Sequence, residues 1–317
     1  SRVLQPQGIG SVSFANSVVT YFSMFAQLGI PTYGIRACAK VRDDKEMLSR
    51  TVQEILLINM ITCIIVYIAF ACSLVLVPAF RQEKILYIVM GSLILFNTIG
   101  VEWLYKSLEQ YSYITVRSVI FKFIAVVAMF LLIHQKEDYV IYGGITIFAA
   151  VGSNIMNFIN LRKFIYLRPM RYYNFKRHIK PISVFFAMSI ATTVYTNMDN
   201  VMLGFMRGTT ENGYYDAAVK IKNILVGFVA SLGTVLMPRV SYYIEVGEKK
   251  EFYRITKKAL KFVYLLATPL CLYFILFAAP SIYLISGDLF APSIPPMRLI
   301  MPTLIFIGLT NIIGLQM

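Results

Sequence analysis

Polar side chains recur at helical spacing inside otherwise apolar segments, and with them this 317-residue chain could do chemistry. Asn16, Thr20, Ser23 and Gln27 follow i, i+4, i+7 and i+11, which puts them on one helical face. Asp216, Lys220, Asn223, Gly227, Ser231 and Thr234 share a second face. Ser189, Thr192, Thr193, Thr196, Asp199 and Asn200 form a third, and Thr146, Ser153, Asn157 and Asn160, with Asn154 beside them, a fourth. Amides and hydroxyls can tie helices together or line a water-filled cavity, and for Ser and Thr the tie is the commoner role. Charges differ, because an ion in hydrocarbon costs at least about 2.5 kcal/mol. Asp199 and Lys220 both fall in the outer half of their segments, where they could face one cavity. An Asp216–Lys220 pair at i, i+4 is the competing reading. Lys222 lies about 200° from Lys220 around a helix, so at most one of the two shares the main polar face.

Arg36 and Arg239 end their segments beside basic loops, as Arg117, Lys122, Glu102 and Lys106 do in theirs. There a cation can snorkel toward water, or it can join a ring that attracts a diphosphate. The sequence contains no glycine-rich phosphate loop with its lysine, no paired-histidine zinc motif and no Ser/His/Asp arrangement. Cys38, Cys63, Cys72 and Cys271 lack metal-type spacing and read as packing residues. No cofactor, metal or catalytic residue is therefore expected, and uphill movement of a substrate would draw on a gradient. His134 and His178, at helix ends, are expected at the surface.

These faces need long helices in a membrane. The chain is 58% apolar and only 15% charged, against roughly 25% charged in soluble domains. Nine apolar runs of spanning length lie near 8–35, 51–80, 85–105, 112–134, 139–161, 181–206, 213–237, 259–286 and 297–317. They do not alternate as barrel strands would, so helices are expected. The net charge of +14 is explained by cytoplasmic loops rather than by nucleic acid, which is not an expected partner. Segments 36–50, 162–180 and 239–261 hold five, seven and seven Lys/Arg, whereas the loops between have few. The alternation makes the first run enter from outside. With no initiator Met and with Met317 inside an apolar run, sequence is expected to be missing at both ends, including an odd number of spans before residue 1.

The basic stretch 163–180 reads as a cytoplasmic linker, with an interfacial helix carrying Tyr172, Tyr173 and Phe175. It divides residues 1–162 from 181–317, and the two parts resemble one another. At an offset near 204, Leu28-Gly29 falls on Leu232-Gly233, Lys45 on Lys249 and Arg50 on Arg254. A same-direction repeat predicts two pseudo-symmetric lobes related by an axis along the membrane normal, an architecture used by transporters.

Four phrases carry a resemblance: RVLQPQGIGSVSFANSVVTYFSMFAQLGIPTYGIR, VEWLYKSLEQYSYITVRS, YTNMDNVMLGFMRGTTENGYYDAAVKI and VLMPRVSYY. Together they resemble the Wzx-type oligosaccharide flippases of the multidrug/oligosaccharidyl-lipid/polysaccharide exporter superfamily. The resemblance implies an all-α bundle of two six-helix lobes working by alternating access in the bacterial cytoplasmic membrane, of which this chain holds about nine spans. It implies an undecaprenyl-diphosphate-linked oligosaccharide as substrate, flipped for O-antigen or capsule synthesis. Membrane lipids, a polysaccharide polymerase and a chain-length regulator are the other partners it suggests. Arg36, Lys220, Lys222 and Arg239 are its candidate cations for the head group; from the polar faces themselves, Asn16 and Asn157 are expected as further substrate contacts, and Asp199 with Asn200 as the candidate for ion coupling. A multidrug or cation antiporter of the same fold, whose cavity should be net acidic, is an alternative. A membrane polysaccharide polymerase is a third, although the outer loops are short and hold no acid/base pair.

Overall fold

The computed structural model describes residues 2–170, 172–245 and 248–313, with side chains defined except at 230–242, 244–245 and 313. The described residues are helical or irregular, with no strand among them. In chain order the helices begin with α1 (Gln5–Gln27), α2 (Ile30–Ala39), α3 (Lys45–Leu76), α4 (Pro78–Gln82) and α5 (Lys84–Ile99). There follow α6 (Glu102–Ser107), α7 (Tyr111–Leu132), α8 (Tyr139–Ile147), α9 (Asn154–Asn160) and α10 (Lys176–Arg207). The chain continues as α11 (Thr209–Glu245), α12 (Lys249–Leu276), α13 (Ala278–Ile285), α14 (Ile294–Ile300) and α15 (Thr303–Ile313).

Among the described residues seven helical stretches are long and apolar enough to cross a membrane. The pair Asp288–Ile300 and Thr303–Ile312, bent by 45°, makes an eighth if it is one span. The run at 213–237 falls in the 37-residue helix α11, part of whose side chains lie outside the described set. On α3, Ile61, Ile64, Ile65 and Ile68 are each exposed by 58–62%. Such a stripe is untenable in water but suits acyl chains, while the helix satisfies its own backbone. This is a multi-pass membrane protein.

Packing separates two compact units: Ser11–Gly208, and Ser1–Gly10 with Thr209–Met317. In the first, one apolar cluster gathers Val12, Val19, Phe70, Tyr87 and Ile94, and another gathers Ile30, Val52, Trp103, Tyr105 and Leu161. The first expected span is in fact bent. Leu28 and Gly29 take φ of 47° and 72°, and Pro31 starts α2. Only glycine fits at 29, because a Cβ there would sit 2.5 Å from the Phe185 backbone of α10 besides adopting a left-handed conformation. Helix α3 begins where the Asp44 carboxylate accepts from the Glu46 and Met47 amides at 2.9 and 3.0 Å, an N-cap. In the second unit Gly10 and Gly213 let α1 and α11 touch backbone to backbone; a Cβ on either would meet a carbonyl oxygen within 2 Å. The Asn212 amide donates to the Gly10 carbonyl at 3.1 Å across this contact.

The interfacial helix expected within 163–180 is not formed. Described residues from 164 to 175 are irregular because side chains of α3 claim this backbone and its tyrosine. The Tyr173 hydroxyl donates to Gln53 at 2.8 Å, and the Asn174 amide donates to Glu54 at 2.6 Å.

Candidate functional site

On α1 the face carrying Asn16, Thr20, Ser23 and Gln27 lies roughly a quarter turn around the helix from the residues that pack the core, notably Ala15, Val19 and Ala26. A cavity of about 440 Å³ opens on that polar face, within the roughly 300–1,000 Å³ range of small-molecule sites. Helix α5 contributes Leu93 and Asn97, α10 contributes Ser189 and Thr193, and the α1–α2 break contributes Gly29 and Pro31. Met24 of α1 completes the lining together with Ala150 and Val151, which come from a π-helical turn at Phe148–Gly152, a distortion often found at functional sites.

The hydrogen bonds show how the cavity is held. Buried Ser23 accepts from the Gln27 amide at 2.9 Å and from the Asn97 amide at 3.2 Å. One hydroxyl thereby orients two amides, whose carbonyl oxygens have no partner among the described residues. The Thr20 and Ser189 hydroxyls bond back to their own helices, at 2.7 and 3.0 Å. Asn16 is exposed to the cavity, and its side chain makes no hydrogen bond among the described residues. None of the lining residues among those described is ionisable. The cavity can therefore exchange hydrogen bonds with a neutral polar group, but it offers an ion no counter-charge.

The other expected site residues lie elsewhere. Asn157 is fully buried: its side-chain amide donates to the Gly100 carbonyl at 2.7 Å, its backbone carbonyl accepts from the Tyr105 hydroxyl at 2.6 Å, and its side-chain oxygen has no partner among the described residues. Asn154 ties α9 to the Phe96 carbonyl at 3.0 Å in the same way. Arg36 is exposed outside the cavity, its guanidinium 5.2 Å from the Phe185 ring centre, a cation–π distance. The Asp199 carboxylate accepts from the Asn200 amide at 3.0 Å, and Asn200 is buried. In the second unit Lys220 pairs with Asp216 at 2.7 Å, the i, i+4 alternative the sequence had left open, and Lys222 is half-buried. Arg239 lies outside the described side chains.

Three features escaped the sequence reading. Asn97 is a lone amide in an apolar run, and that isolation was the available signal. Arg117, read as a cation that either snorkels or joins a ring for a diphosphate, is 4% exposed and donates to the Ser153 carbonyl at 2.9 Å. His178, expected at the surface, is 1% exposed. It belongs to a charged knot centred on Glu54, itself fully buried. One Glu54 oxygen accepts from Arg50 at 3.2 Å and from the Asn174 amide; the other accepts from Arg177 at 2.6 Å and His178 at 2.7 Å. A carboxylate only accepts, so His178 Nε2 carries the hydrogen. In the neutral ring this leaves Nδ1 to accept from the Tyr33 hydroxyl at 2.5 Å.

Two curated relatives, each named "Putative O-antigen transporter", align with the chain. The Escherichia coli (strain K12) protein is 22% identical over 317 residues, 99% of this chain and 76% of the relative. The Shigella dysenteriae protein is 23% identical over 245 residues, 76% of this chain and 61% of the relative. A solved structure described as the inward-facing conformation of a multidrug resistance MATE family transporter of the MOP superfamily superposes with a TM-score of 0.66. It covers 99% of this chain and 80% of its own at 12% identity, a likeness of fold. A second family model, MatE, matches residues 185–314. The polysaccharide biosynthesis protein model matches residues 1–244, so the chain, as the four sequence phrases suggested, belongs to that family.

Proposed function

We propose that this protein is a membrane flippase that moves an undecaprenyl-diphosphate-linked oligosaccharide from the cytoplasmic to the outer leaflet for surface polysaccharide synthesis. The observation that carries this reading is a polar, uncharged cavity inside a chain of the polysaccharide biosynthesis family. Relatives named as O-antigen transporters support it. In this reading the lobes 1–162 and 181–317, joined by the linker 163–180, alternate access to the two leaflets. Arg36, Lys220, Lys222 and Arg239 attract the diphosphate, and Asp199 with Asn200 serves ion coupling. A polymerase and a chain-length regulator would receive the flipped product.

A cation antiporter would need a carboxylate in the cavity to hold its substrate, and no lining residue among those described is acidic. The test is complementation of a flippase-deleted strain by the full-length gene, with lipid-linked intermediates sorted by leaflet. Restored surface polysaccharide with clearance of the inner-leaflet intermediate is expected; no restoration contradicts the reading.

A further inference from the structure

We propose that the cavity bordered by α1, α5 and α10 is a carbohydrate subsite, which takes the sugars of the lipid-linked substrate and not its diphosphate. The proposal rests on the flippase reading above and adds to it a division of labour. A diphosphate carries charges that would enter this cavity unpaired, because none of its lining residues among those described is ionisable, and an unpaired ion in such surroundings is strongly disfavoured. A sugar presents neutral hydroxyls, each both donor and acceptor. Amides match that chemistry because one side chain carries a donor end and an acceptor end.

Asn16 keeps both ends without a partner among the described residues. Gln27 and Asn97 keep their carbonyl oxygens, and Ser23 already fixes both side chains. Fixing them in advance reduces the ordering cost of binding. Thr193 adds a hydroxyl from α10, while Met24 and Leu93 supply apolar surface for the C–H faces of a ring. The cavity volume of about 440 Å³ leaves room for a short saccharide. Arg36 stacks on Phe185 outside the lining, so the charged head group is read by other residues.

The test uses purified full-length protein and two probes: the sugar-bearing lipid extracted from the host's own membranes, and undecaprenyl diphosphate without sugar. Wild type should bind the sugar-bearing lipid more tightly. Asn16→Leu and Thr193→Val should each weaken that binding by about fivefold to tenfold, one hydrogen bond's worth, and leave the bare lipid within about twofold. Thr193→Val keeps the side-chain shape and so guards against a folding defect in Asn16→Leu. Unchanged binding of the sugar-bearing lipid in both variants, or equal weakening for both probes, overturns the subsite. If wild type binds neither probe, the flippase reading itself falls and the subsite falls with it. If wild type binds both equally, only the subsite is overturned.

Discussion

Within one compact unit, the Glu54 knot and the α1 cavity hold polar groups in opposite conditions. At Glu54 both carboxylate oxygens are engaged, by Arg50, Arg177, His178 and the Asn174 amide. In the cavity Asn16, Gln27, Asn97 and Thr193 retain hydrogen-bonding atoms without partners among the described residues. Both sets are costly in an apolar bundle, so both must be offset. The knot is offset internally by tying α3, the start of α10 and Tyr33 of α2 together. The cavity is offset only by water or by a ligand. Polar residues sealed inside the protein, such as the Glu54 knot and the fully buried Asn157, hold the fold, and those whose open bonds face the cavity are candidates for transport.

That contrast orders the effects of substitution. Glu54→Ala should be the most damaging, because it leaves two arginines facing a site with no anion. Breaking a buried charge pair costs about 3–5 kcal/mol, and thermal unfolding in detergent should show most of the folded protein lost. Gly29→Ala comes next: a left-handed φ of 72° and the Phe185 backbone together cost about 1–3 kcal/mol, read as a lower melting temperature. Asn157→Leu loses one interhelical bond to Gly100, about 1 kcal/mol. That bond is part of the fold, so binding per folded molecule should stay near wild type in an assay normalised to folded protein. Asn16→Leu should change stability least, within about 0.5 kcal/mol, since its side chain bonds nothing among the described residues. If Asn16→Leu destabilised as much as Asn157→Leu, the contrast would be broken.

Much of this was legible from spacing. Asn16, Thr20, Ser23 and Gln27 repeat at 3.6-residue intervals, and Ser189 and Thr193 stand four apart, so both faces of the cavity could be read before any coordinates. Which stripe lines space and which one glues could not. Asn157 and Asn16 are the same residue type in similar apolar runs, and only the neighbouring helix decides whether the amide meets Gly100 or a void. Long-range pairing also hid the knot. Glu54 lies 123 residues from Arg177, and nothing local marks His178 as buried between Tyr33 and Glu54. The bend at Leu28-Gly29 had a signal in the Gly-Ile-Pro phrase, but a continuous apolar run masked it. The Asp216–Lys220 pair was readable because i, i+4 geometry is local.

The most direct measurement compares Asn16→Leu with Asn157→Leu in one strain, scoring folded protein in the membrane and the rate of surface polysaccharide appearance. Open cavity bonds predict that Asn16→Leu accumulates at the wild-type level while polysaccharide appears about fivefold to tenfold more slowly, the effect of about one lost hydrogen bond. Asn157→Leu should lose protein and polysaccharide in proportion. Wild-type polysaccharide rates in Asn16→Leu at normal protein levels would contradict the account.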